Sequence, residues 1–171
     1  PDLDPGDGVV TTATAGEVTL RAAIMEANAL AGDQSISLPA GSFMLSIAGA
    51  AEDGGTTGDL DVTDSTGVLT ILGSGSESTT INADGLDRVF DLHTDAQLVL
   101  MDLTLAGGTS PVTEQGGGVR ASGAELTLSR VTVSGNESAA GGGGLAGSSS
   151  AQLTLVDSRL TTNTTAADGG G

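Results

Sequence analysis

Four stretches of this chain are copies of one another. "LTILGSG" from Leu69, "LVLMDLTLAGG" from Leu98, "LTLSRVTVSGN" from Leu126 and "LTLVDSRLTTN" from Leu153 begin 29, 28 and 27 residues apart. Repetition at such a period marks a solenoid, a propeller or an array of stacked units. Within each copy apolar residues alternate, as in Leu126, Leu128, Val131 and Val133. The phase slips by one at Ser129-Arg130, which carries the apolar face around a corner onto a second short strand. A third strand follows a glycine-rich corner: "RVFDL" at Arg88, "GGGVRAS" at Gly116 and "GGGGLAG" at Gly141. Three short strands in about 27 residues make one coil of a parallel β-helix, with coils stacked about 4.8 Å apart. A propeller blade needs four antiparallel strands and a longer period, and the Asn column of leucine-rich repeats is missing.

Stacking at this period predicts ladders. Asn136 and Asn163, 27 residues apart, each follow a strand, where Asn suits a tight left-handed turn and its amide can bond its copy in the next coil. Asp102, Arg130 and Asp157 fall in one corner column of acid, base and acid. Such a column sets register more than it adds stability, since exposed pairs contribute about 0–1 kcal/mol. Thr70, Val99, Thr127 and Thr154 form an outward rank, with Thr104 and Thr132 beside it. Val99 and Arg159 interrupt these ranks, so strand propensity explains them better than an ice-binding surface.

Composition limits what fills such a coil. With Phe43 and Phe90 as the only aromatic residues, Leu, Ile, Val and Ala must build the core. The 28 glycines show no Gly-X-Y period, which excludes collagen. Arg21, Arg88, Arg120, Arg130 and Arg159 are the only basic residues against 22 acids, a formal charge of −17. That surface repels nucleic acid and anionic membranes and suits a soluble protein in an ionic medium. There is no cysteine for a disulfide or thiolate site, and no apolar run nears the roughly 20 residues that span a bilayer. Opening at Pro1 without a visible leader, the sequence reads as a mature product or an excised portion.

One segment breaks the strand pattern. In "EVTLRAAIMEANALAG", Glu17 to Gly32, Leu20, Ala23, Ile24 and Ala27 fall on one helical face, which Leu30 extends. Thr19 is the expected N-cap and Gly32 the stop. A solenoid end exposes unpaired backbone, so this helix is expected to cap the first coil. The domain organisation is therefore a single β-helix domain over 1–171, with a lead-in loop and capping helix in 1–34 and coils in 35–171.

The segment "LRAAIMEAN", followed by "LTILGSG", "INADGLDRVFDL" and "GGGVRASGAELTLSRVTVSGNESA", resembles the bacterial surface-protein β-helix family of the CSLREA type, marked by Leu-Arg-Glu-Ala-Ile…Glu-Ala-Asn. The resemblance covers essentially the whole chain. It implies a right-handed parallel β-helix, secreted or surface-anchored, within a large multi-repeat protein, in a family with few assigned activities. Two departures stand out. Val10 and Val18 occupy places where the family commonly carries cysteines, and Ala22 replaces the familiar Glu after Arg21.

Candidate chemistry is sparse. "PDLDPGDG" offers Asp2, Asp4 and Asp7, and "EDGGTTGDLDVTD" offers Glu52, Asp53, Asp59, Asp61 and Asp64. Carboxylates clustered on glycine-rich turns are what Ca²⁺ selects. Neither stretch fits a calcium loop motif, and a solvated acidic loop is the alternative. His93, the only histidine, lies in "DLHTD". With Phe90 and Leu92 inward, Asp91 and His93 point out on one face near Asp95, a pairing capable of acid-base work. No lysine stands ready to neutralise an acidic sugar, which argues against a polysaccharide lyase. Asn136 and Asn163 also match the glycosylation acceptor pattern.

The last residues, "DGGG", correspond to the glycine corner that opens a third strand in earlier coils. The chain is expected to stop inside a coil, with either further repeats or a second copy covering that end. Head-to-tail contacts that do not close produce filaments. The sequence thus points to a non-enzymatic extracellular scaffold or adhesin of a bacterial surface, self-associating through its ends and using no cofactor beyond Ca²⁺. The competing reading is a carbohydrate-binding or polysaccharide-degrading β-helix with a glycan partner.

Overall fold

The computed structural model describes residues 1–14, 16–50, 52–110 and 113–166. The expected glycine corner at Gly169–Gly171 lies outside them. Nearly all strands pair in parallel with the strand one coil away, giving about four turns of a β-solenoid with a single helix.

Sheet A stacks β1 (Gln34–Ser37), β4 (Val68–Leu72), β7 (Gln97–Met101), β10 (Glu125–Ser129) and β14 (Gln152–Val156) in that order. Sheet B stacks β2 (Gly41–Met44), β5 (Thr79–Asn82), β8 (Thr104–Ala106), β11 (Thr132–Ser134) and β15 (Arg159–Thr161). Sheet C stacks β3 (Leu60–Val62), β6 (Phe90–Leu92), β9 (Val119–Ser122) and β13 (Leu145–Ser148). A small extra ladder, not foreseen from the sequence, joins β12 (Glu137–Ser138) to β16 (Thr164–Thr165). The β1 end is the front of the solenoid and the β14 end its back.

Register follows the repeat residue by residue. Leu69, Leu98, Leu126 and Leu153 form one column, and Ile71, Leu100, Leu128 and Leu155 the next. Ile81, Leu105, Val133 and Leu160 supply sheet B. Leu60, Phe90, Val119 and Leu145 supply sheet C. A one-residue slip would turn every one of these outward, so the buried columns specify the stacking.

The corners are made by left-handed residues. Between sheets A and B stand Asp102, Arg130 and Asp157, with φ of 54°, 55° and 48°. Between sheets C and A stand Asp95, Gly123 and Ser150, with φ of 64°, 65° and 63°. After sheet B the left-handed position is Gly107, Gly135 and Thr162, the last two standing one residue before Asn136 and Asn163. The expectation that Asn136 and Asn163 themselves adopt the left-handed turn is thereby corrected: they follow it, and their amides are free to bond. The Gly-rich run before sheet C has a different cause. A Cβ on Gly117 or Gly143 would lie 2.0 or 2.1 Å from the carbonyl oxygen of Glu137 or Thr164.

Helix α1 (Leu20–Ala29) starts where the sequence places it, with the Thr19 hydroxyl accepting from Ala22 N at 3.2 Å. Leu20, Ile24 and Ala27 join the core. Leu30 is the C-cap residue and lies beyond the helix. The helix settles along β3 and completes its front edge in an unexpected way. Asn28 Nδ2 donates to Asp61 O at 2.8 Å, and Asn28 Oδ1 accepts from Thr63 N at 3.0 Å. A side-chain amide thus occupies the position of a neighbouring strand.

Candidate ionic site on sheet C

The middle residue of each sheet C strand points away from the core, aligning Asp61, Asp91 and Arg120 in one column. An outward column on a solenoid would ordinarily be solvated. Here Asp61 and Asp91 are only 1% and 2% exposed. The strap of residues 52–58 and the segment 113–118 leading into β9 lie over the sheet's outer face, Gly55 N on Asp61 and Glu114 on Arg88 and Arg120. The strap is fastened by Arg21 of α1, whose Nη1 donates to the carbonyls of Gly55, Thr57 and Asp59 at 2.9, 3.1 and 2.6 Å, and whose Nη2 donates to Gly58 O. Asp61 Oδ2 accepts from Gly55 N at 2.8 Å, and Glu52 folds back onto the amides of Gly54, Thr56 and Thr57.

Beneath these covers the charges pair across coils. Arg88 Nη1 donates to Asp59 at 3.0 Å and to Asp91 at 3.2 Å. Arg120 takes Asp91 with two N–H groups, Nε to Oδ1 at 2.9 Å and Nη2 to Oδ2. Glu114 bridges Arg88 and Arg120 from outside. His93 Nε2 lies 2.9 Å from Asp61 Oδ1. Buried acids outnumber the guanidinium groups that reach them, and Asp87 Oδ2 has no partner among the described residues.

That imbalance shows in acidity. Burial raises Asp59 to about 7, with the charges of Asp61 and Asp87 adding to it and Arg88 opposing. Burial likewise raises Asp61, against the hydrogen bond from His93, and raises Asp87. Arg120 is raised by its hydrogen bonds to Asp91.

The sequence-derived sites meet mixed fates. Asp91 and His93 do leave the core on one face, but Asp91 is sealed under the strap rather than exposed. Asp59 and Asp61 were expected on an acidic turn, whereas Asp61 belongs to β3 and Asp59 directly precedes it, because Leu60 and Val62 complete the inward columns of Phe90 and Leu92. Asp64 caps its own turn through Thr66. Asp2 Oδ1 binds Asp4 N, Thr11 N and the Thr11 hydroxyl, while Asp7 accepts from Val9 N. Of the eight carboxylates offered for calcium, Asp53 and Asp61 join a convergent group with Asp91 and His93, whose donor atoms lie within 4.8 Å of one another. Both oxygens of Asp91 are already held by arginine, and both of Asp61 by His93 and Gly55 N.

The asparagine ladder forms as expected: Asn136 Nδ2 donates to Asn163 Oδ1 at 3.0 Å. Asn136 is fully buried, which removes its acceptor pattern from any glycosylating enzyme in the folded chain. In the corner column Arg130 closes on Asp102, Nε to Oδ1 at 2.7 Å and Nη2 to Oδ2 at 2.6 Å. Asp157 reaches Arg130 through its charge alone.

Arg21, Arg88, Arg120, Asp87 and Glu114 are the members of the site that sequence reasoning missed. A signal was there: "LDVT" at Leu60 and "FDLHT" at Phe90 share a pattern one coil apart, and Arg120 falls a further coil on.

Two grooves do not open on Asp61, Asp91 or His93, although Arg21 lines the first of them. A groove of about 470 Å³ at the front is lined by Leu3, Val18, Phe43, Met44 and Ile47 among others. A polar hollow of about 310 Å³ at the corner between sheets C and A is lined by Asp95, Gln97, Glu125 and Gln152, with Ser65 and Ser150. At the back, Leu153, Leu155 and Val156 are 38%, 43% and 47% exposed, whereas Leu126 and Leu128 one coil earlier are 1% and 0%. No family model, curated protein or solved structure matches the chain.

Proposed function

We propose that this chain is a non-enzymatic structural element displayed outside a bacterial cell, a rigid β-solenoid that spaces or adheres and that lengthens by end-on association into filaments. The observation that carries the reading is how the ionic residues around the only histidine are used. Arg88 and Arg120 tie Asp59, Asp91 and Glu114 together across three coils, so the charges act as braces between turns. The grooves described above do not reach His93. The acidic surface and the resemblance to CSLREA-type surface proteins support an extracellular setting. Among the described residues, no helix is long and apolar enough to cross a membrane.

Two measurements test this. Immunogold labelling of intact producing cells should decorate the surface, and purified chain should leave a panel of neutral and acidic polysaccharides undegraded. Turnover abolished by His93→Ala would overturn the reading in favour of an enzyme.

A second reading has one observation behind it. The polar hollow presents Gln97, Glu125 and Gln152 from three successive coils, an arrangement suited to the hydroxyls of an extended glycan. A glycan array would register it as binding that Gln152→Ala weakens.

A further inference from the structure

We propose that Asp53 of the strap, Asp61 of β3, Asp91 of β6 and His93 just after it form a Zn²⁺ site that clasps the strap to the sheet C strands beneath. The site goes beyond the scaffold reading and does not depend on it.

Four donors from three segments converge. One atom from each of Asp53, Asp61, Asp91 and His93 lies within 4.8 Å of the other three. Donors bound about 2.1 Å from one tetrahedral ion stand about 3.4 Å apart, so the group is close to the span of a single coordination sphere. The register of the solenoid brings them together. Asp61 and Asp91 are partners in neighbouring strands, and His93 follows two residues on, on the same outer side. Asp61 Oδ1 and His93 Nε2 are 2.9 Å apart, and an ion entering between them needs that gap to open by about 0.5 Å.

The nitrogen decides the metal. The Ca²⁺ expected from the acidic turns takes oxygen donors. One imidazole among carboxylates is a mixed set, and four such donors suit Zn²⁺, which binds His nitrogen and Asp oxygen at about 2.0–2.2 Å. His93 serves as the neutral ring with the Nε2 lone pair turned to the ion. Among the described residues Asp91 Oδ1 accepts only from Arg120 Nε and so keeps a second lone pair. Asp61 Oδ2 is steadied by Gly55 N.

Two further observations call for a cation at this place. Asp53 is exposed and makes no hydrogen bond or ion pair among the described residues, yet its carboxylate stands against those of Asp61 and Asp91 instead of turning to water. Like charges at that range repel unless a cation lies between them. Positive charge is also short beneath the strap. Asp59, Asp61, Asp87 and Asp91 are buried, Arg88 and Arg120 bond only Asp59 and Asp91 of the four, and Arg21 spends its N–H groups on backbone carbonyls. Asp87 Oδ2 is buried without a partner among the described residues and lies against the strap, where a Cβ on Gly58 would stand 2.8 Å from it. A divalent ion in this layer supplies the charge that is missing.

Titration calorimetry of the chain, stripped of metal by chelation, should show one saturable Zn²⁺ site. A roughly hundredfold excess of Zn²⁺ over the dissociation constant should raise the Tm by about 5–10 °C, and Ca²⁺ should not reproduce the shift. Co²⁺ in place of Zn²⁺ should give the intense visible absorption of a tetrahedral site, lost in His93→Gln. Asp53→Asn changes an exposed residue with no other partner. It should weaken Zn²⁺ binding at least about tenfold without lowering the Tm of the metal-free chain, which separates ligation from folding. No saturable site, a site that either variant leaves intact, or a Ca²⁺ shift equal to that of Zn²⁺ would overturn the proposal. None of these outcomes touches surface labelling or polysaccharide turnover, so the scaffold reading fails or stands separately.

Discussion

Asn136 donates through Nδ2 to Oδ1 of Asn163 one coil away, and the same Asn163 oxygen accepts from Asn136 N at 3.2 Å. The Asn136 amide also reaches Leu105 O, Ser134 O and Gly108 N. It closes the turn after sheet B in three coils at once. Asn136→Ala leaves several of these groups buried without partners, at about 1–3 kcal/mol each where water cannot enter. The expected loss is about 2–4 kcal/mol, a fall in Tm of roughly 5–15 °C by calorimetry. A change within 2 °C would show that the ladder is decorative.

Asn28 makes a sharper case, because its two bonds have opposite polarity. Asn28→Ala removes both and reopens the front edge of β3, at about 1–2 kcal/mol. Asn28→Asp keeps the acceptor for Thr63 N but sets a carboxylate oxygen against the Asp61 carbonyl. Denaturant midpoints at pH 7 should therefore rank Asn above Ala above Asp. An Asp variant as stable as the parent would remove the strand-mimicking role.

How far the sequence reveals this structure depends on what each residue answers to. Leu69, Leu98, Leu126 and Leu153 answer to a local repeat, so period and alternation place them in register before any coordinates. Thr19 and Ile24 are equally legible, since capping and helical periodicity are short-range. Asp61 is not. The first coil carries the long strap before β3, which shifts "LDV" out of the 27-residue rhythm and disguises a strand as an acidic turn. Nor is the burial of Asp91 legible, because outward alternation says which way a side chain points and nothing of what later lies over it. Arg21 is the plainest example: on a helical wheel it sits beside the core stripe, yet its guanidinium is committed to carbonyls 34 to 38 residues away.

Arg130 separates backbone from side-chain effects. Its left-handed φ of 55° disfavours any residue with a Cβ, and a β-branched one most. Its bond to Asp102 is exposed and contributes little. Arg130→Gly gives up the pair but relieves the backbone, so its Tm should match the parent closely. Arg130→Val gives up the pair and worsens the backbone, so its Tm should fall clearly. Equal losses in both would mean that the ion pair, and not the turn, holds the corner.

The buried acids fix the pH dependence. Asp59 titrates near its ordinary 3.8 in the unfolded chain and at about 7 in the folded one. Between those values the folded chain holds a proton that the unfolded chain has released, so stability falls as pH rises through the interval. The contribution is complete below 3.8 and gone above about 7. Asp61 and Asp87 are shifted the same way and add to the slope. Asp102, lowered chiefly by the Arg130 hydrogen bond, works in the opposite sense and is lost only in stronger acid. The Tm should therefore be higher at pH 5 than at pH 8. Asp59→Asn keeps an oxygen for Arg88 and cannot titrate, so it should flatten that slope while raising stability at pH 8. A Tm that climbs from pH 5 to pH 8 in the parent would mean that the arginines fully compensate the carboxylates beneath the strap.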